Sequence, residues 1–190
     1  MKTLDSRTMR VTFIKTGPRR YGVLVERDRW PDVGVNPAPG YDDYLPHDLL
    51  HFVAEAEWRM DGAVFGQLAS GGDAGIFLPL DPELLTQTVR DRKRRKRLSA
   101  KPKGRRSELL TGVLETAWAA RRGLASLPAD WEEQLAAARV VPSKLERVVD
   151  RLDEIAGRWH KLHVSEGLTF DWPRPESRHR KPLQRANSHH

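Results

Sequence analysis

A chain of 190 residues, of which 38% are hydrophobic and 31% charged, fits one domain whose core must come from a few strongly patterned segments. It has no cysteine, which excludes disulfides and thiolate metal sites and leaves His, Asp and Glu to bind any metal; no apolar stretch suits a signal peptide or a membrane span, so the expected compartment is the cytoplasm. The net charge of +7 is uneven: Lys and Arg outnumber Asp and Glu by 11 to 3 over residues 81–106 and by 5 to 1 over 173–190, whereas residues 1–80 (9 against 11) and 107–172 (8 against 11) are mildly acidic.

Residues 10–16 and 21–27 are rich in Val, Phe, Ile and Tyr and flank Gly17-Pro18-Arg19-Arg20, which predicts a β-hairpin. Three prolines and two glycines make 31–41 a loop. Residues 45–60 form the first helix, with Asp42 or Asp43 as N-cap, Pro46 in its first turn, and Leu45, Leu49, Phe52, Val53, Ala56 and Met60 on one face. A short helical or turn-rich piece follows at 64–69, then a short strand or extended connector at 75–80.

Asp81-Pro82 opens a helix whose apolar face, Leu84, Leu85 and Val89, lasts about two turns. From residue 90 it turns cationic, so the helix either projects or frays, and 99–106 reads as a linker. Leu110, Val113, Leu114, Ala117 and Trp118 mark a helix over 107–122, ended by Gly123. Asp130-Trp131-Glu132-Glu133 resembles a capping box before a short helix to about 139, and Ser143-Lys144-Leu145-Glu146 is a full one. The apolar residues after it, from Leu145 to Leu162, recur every three or four positions, the clearest helix in the chain. Residues 168–172 form a strand that must pair with something.

These elements predict an α+β fold: a small antiparallel sheet, made by the N-terminal hairpin and the C-terminal strand, packed against several helices. The domain spans 9–172 with a basic, partly flexible insertion at 90–106, and 173–190 is a basic tail without pattern, expected to be disordered.

The local motif with chemistry in it is His47-Asp48-Leu49-Leu50-His51. Histidines four apart on a helix can chelate one metal, the arrangement that zinc proteases use in His-Glu-x-x-His. Here Asp48 stands where their general base is Glu, and Glu55 is the candidate third ligand. On the wheel His47, His51 and Trp58 lie opposite the Leu45–Leu49–Phe52 stripe, where they line a pocket, meet a second packing layer or lie exposed. His160 and His163 end the long helix, with His163 in its apolar face, the place of a core histidine. HD phosphohydrolases need a further upstream His, and a ubiquinone-biosynthesis motif carries Glu where Ala63 stands, so the chain resembles no characterised family. No Walker loop, dinucleotide fingerprint or nucleophile elbow is present.

Arg92, Lys93, Arg94, Arg95, Lys96 and Arg97, followed by Lys101, Lys103, Arg105 and Arg106, are dense enough to meet nucleic acid or another polyanion through its phosphates. No aromatic residue lies between Phe77 and Trp118, so contact would be nearly independent of sequence. The chain is read as a non-enzymatic binding or interaction protein, meeting a protein partner and a polyanion. A second reading is a metal-dependent, hydrolase-like enzyme with a zinc-like divalent ion on His47, His51 and Glu55 and Asp48 as base. A third is a structural or regulatory protein with no ligand.

Overall fold

The computed structural model describes residues 9–38, 44–95 and 105–173. Asp42 and Asp43, residues 96–104 of the basic segment and the tail from residue 174 lie outside the described residues.

The hairpin forms as β1 (Met9–Gly17) and β2 (Arg20–Arg27), antiparallel, with Val11 opposite Val25 and Phe13 opposite Val23. Alternation decides the faces: Met9, Val11, Phe13, Val23 and Val25 are buried, while Arg10 reaches across to Glu26 on the other side at 2.6 Å. The C-terminal strand, β5 (Gly167–Asp171), pairs antiparallel with the free edge of β1, setting Leu168 opposite Phe13 and Phe170 opposite Val11. Two further strands, β3 (Val33–Val35) and β4 (Leu78–Pro79), extend the other edge, so the five-stranded order is β4-β3-β2-β1-β5.

β3 overturns the expectation of an unbroken loop over 31–41. Prolines on both sides hide the segment, but Val33, Gly34 and Val35 pair with Val25, Leu24 and Val23, and this pairing outweighs local composition. A Cβ on Gly34 would stand 3.1 Å from the Val23 carbonyl oxygen, so a glycine fits where the strands run close.

Among the described residues six helices accompany the sheet: α1 (His47–Glu57), α2 (Val64–Ala69), α3 (Pro82–Arg95), α4 (Arg105–Arg121), α5 (Trp131–Ala138) and α6 (Pro142–His160). Their ends differ from expectation in instructive ways. α1 starts after Pro46 and stops at Glu57, because Arg59 takes a left-handed φ of 51°. α6 begins at Pro142 with Val141 as a cap that has no side-chain bond, since proline's fixed φ sets the first turn one residue ahead of Ser143. Asp130 likewise caps α5 without a bond to its backbone and takes Gln134 Nε2 instead. Asp81 does cap α3, accepting from the N–H groups of Glu83 and Leu84 at 2.9 and 3.1 Å. α6 ends before His163, which is exposed in the turn beyond it rather than set in an apolar face. No described helix is long and apolar enough to cross a membrane.

One hydrophobic cluster joins the inner sheet face to the helices. Its centre is a set of rings in edge contact, Phe13–Phe52 at 5.9 Å, Phe52–Phe65 at 5.2 Å and Phe65–Phe77 at 6.3 Å. α6 lays its apolar stripe, Leu145 to Trp159, into the same cluster. Arg27 is buried beside it and donates to the carbonyls of Pro31, Leu68 and Gly72, tying the hairpin to the end of α2.

Candidate functional site

α1 has an apolar side for the core and a polar side that meets α4, so its histidines enter a second packing layer. On α1 the residues concerned are His47, His51 and Glu55, four apart; on α4 they are Ser107, Glu108, Thr111 and Glu115. His47 pairs with Glu115, His51 with Thr111 and Ser107, and Glu55 with Ser107, so numbers rise on one helix as they fall on the other and the two run antiparallel. His51, Glu55, Ser107 and Thr111 are buried, whereas His47 and Glu115 stay partly open and the Glu108 side chain is 73% exposed.

The polar atoms form a chain. Glu115 Oε1 lies 3.2 Å from His47 Nδ1; His47 Nε2 lies 3.0 Å from His51 Nε2; His51 Nδ1 lies 3.1 Å from Ser107 Oγ; and the Ser107 hydroxyl donates to Glu55 Oε1 at 2.9 Å. Glu55 ends it, accepting the backbone N–H of Val64 at 3.1 Å and of Phe65 at 2.7 Å, and so satisfies the first turn of α2. Burial pushes the Glu55 carboxyl up to about 7, against the pull of the Phe65, Val64 and Gly66 N–H groups and of Ser107. The bond to Glu115 raises His47, while burial and then His47 itself lower His51.

Of the residues picked out by spacing, the fold brings His47 and His51 together. Glu55 reaches them only through Ser107. Asp48 is turned to β2, where its Oδ2 accepts from the Tyr21 hydroxyl at 2.9 Å, and burial raises its pKa. Among the described residues no three His, Asp or Glu side chains stand in metal-ligand geometry. Ser107, Glu108, Thr111 and Glu115 were not singled out from the sequence. The available signal was polar: they recur at spacings of three, four and seven on a helix recognised by its apolar residues alone.

The basic segment is built differently. α3 rests on the sheet edge at β4, its Leu85 in a groove of about 370 Å³ shared with Ile14, Leu24, Leu78 and Leu80. Val89 and Arg90 are already exposed, and the helix continues through Arg92, Lys93, Arg94 and Arg95. Lys96, Arg97, Lys101 and Lys103 lie outside the described residues; Arg105 and Arg106 open α4, with Arg106 exposed. A separate cleft of about 490 Å³ between α1 and α6 holds Arg59, Lys144, Arg147 and Arg151, but Lys144 and Arg151 are spent on the Glu57 carbonyl and carboxylate. The chain matches no family model, no curated protein and no solved structure.

Proposed function

We propose that the protein is a non-enzymatic binding protein that holds a polyanion, nucleic acid among them, on the basic arm between the end of α3 and the start of α4. The observation that carries this reading is the course of α3. Its apolar contacts end near Leu85 and Val89 is already exposed, yet the helix runs on through Arg95. A helix places successive cations about 1.5 Å apart along its axis, a charge density comparable to that of a phosphate backbone. The arm has no aromatic residue to stack on bases, so it binds without regard to sequence. The non-enzymatic part of the reading rests on the seam: Asp48 is bonded to Tyr21 and Glu55 caps α2, so neither carboxylate of the expected set lies beside the histidine pair.

The test replaces Arg92, Lys93, Arg94, Arg95, Lys96 and Arg97 by Ser or Gln. Wild-type protein is expected to bind DNA or RNA with an affinity that falls steeply with salt. The variant should keep the wild-type melting temperature and lose roughly 0.7 to 0.9 of the logarithmic salt slope for each phosphate contact removed. Wild-type protein that is not retained on either nucleic acid at low salt would overturn the reading.

A further inference from the structure

We propose that His47 and His51 form a binding site for one imidazole-preferring divalent cation, of which zinc is the type, with Glu108 as the third protein ligand. This is independent of the basic arm. The Ser107 hydroxyl has one proton and gives it to Glu55, so its oxygen can only accept from His51; the Thr111 hydroxyl, 3.3 Å from the same Nδ1, accepts from it as well, and Nδ1 is the protonated nitrogen. A carboxylate can only accept, so the Glu115 contact puts a proton on Nδ1 of His47 too. When both rings are neutral, each turns the lone pair of its Nε2 towards the other, 3.0 Å apart. Two facing lone pairs repel, and a cation between them removes the repulsion.

The two histidines are placed for a metal ion, and Glu108 completes the set by turning inwards. Two imidazole nitrogens on one tetrahedral zinc stand about 3.3 Å apart, as follows from Zn–N bonds of about 2.0–2.1 Å, so a slight opening of the pair seats the ion. Each ring is oriented through its Nδ1–H by an acceptor, Glu115 or Ser107, the outer-shell arrangement that fixes the tautomer of a ligating histidine. Glu108 Oε2 already lies 3.9 Å from His51 Nε2, and its exposed side chain is free to turn inwards. His47 is partly open, which gives the ion an entry path. Glu55 is not in this set: it lies behind Ser107 and holds the acceptor that orients His51.

The alternative occupant of the gap is a proton, shared between the two Nε2 atoms, and the experiment separates the two. Zinc chloride is titrated into the full chain by calorimetry, and cobalt(II) by its visible absorption. One equivalent of zinc should bind, and cobalt should give the intense bands of a four-coordinate site. Because His47 is half-exposed, His47→Ala is expected to fold, which circular dichroism checks. It should weaken zinc binding by more than the roughly 10- to 100-fold that loss of an outer-shell partner costs, and Glu115→Gln should fall within that range. Glu108→Gln should weaken zinc and shift the cobalt bands. A wild-type chain that binds no zinc leaves the gap to a proton and overturns the proposal. Zinc binding unchanged in His47→Ala overturns it as well, by placing the ion elsewhere.

Discussion

The seam between α1 and α4 and the outer half of α3 carry polar groups on opposite terms. Along the seam Glu55, His51, Ser107 and Thr111 are buried and each is tied to a named partner, so geometry decides what they do. Among the described residues the buried side-chain nitrogens without a hydrogen-bond partner belong to Arg122, whose guanidinium lies over the Tyr44 and Trp118 rings. On α3, Val89 and Arg90 face solvent, and the cations from Arg92 onwards follow one another closely in the sequence. Removing a buried partner leaves an orphaned dipole, whereas removing an exposed charge lets water take its place. The seam should therefore be sensitive to single atoms and indifferent to salt, and the arm the reverse.

The largest effect is expected where the seam leans on backbone. Gly66 sits in α2 just after the two N–H groups that Glu55 holds, and a Cβ there would overlap the Met60 carbonyl oxygen and Asp61. Neither neighbour is the end of a flexible side chain. Gly66→Ala should cost about 3 kcal/mol or more in urea unfolding, and a loss of under about 1 kcal/mol would mean that the seam gives way easily.

Next comes the pH dependence of Glu55. Its folded pKa of about 7 is above the 4.5 of an ordinary Glu carboxyl, so the folded state favours the neutral form. The stability this contributes is complete below pH 4.5 and is lost as pH rises through 7. Glu55→Gln cannot ionise. Between pH 4.5 and 8, in the presence of a chelator, the wild type should lose on the order of 3 kcal/mol more than the variant does. Parallel profiles would show that the N–H groups of α2 hold the carboxylate charged after all. The smallest effect belongs to the arm: Val89→Ser and Arg90→Gln should each move stability by no more than about 0.5 kcal/mol, read as the melting temperature.

The parts of this fold that were legible in the sequence are those whose signal is local or periodic. The hairpin announces itself by two β-rich runs around Gly17-Pro18, and α6 by a stripe from Leu145 to Trp159. Residues 168–172 could be placed because a lone strand needs an edge, and β1 has one. β3 could not, since its three residues owe their conformation to β2 and β4 and not to their own composition. The same divide runs through the site. His47 and His51 are visible because one helix sets their spacing, whereas Ser107, Glu108 and Glu115 arrive from about sixty residues away, and only the packing of α4 reveals them. Glu55 shows the limit of a helical wheel: it has the right phase for the histidines, yet α2 claims both of its oxygens.

The pairing of β5 with β1 also bears on the order in which the molecule can be completed. Trp172 N–H donates to the Met9 carbonyl at 2.9 Å, so the first and last strands of the described residues share a hydrogen-bonded edge. During synthesis β1 and β2 can pair early, but the outer edge of β1 stays open until residues 167–172 leave the ribosome. At roughly 5–20 residues per second that wait lasts about 7 to 30 s, with an unpaired strand edge exposed throughout. A circular permutant that joins residue 173 to residue 9 through a short linker and opens the chain at another surface turn would make β5 and β1 neighbours in sequence, and the sheet could close from its own hairpins as it is made.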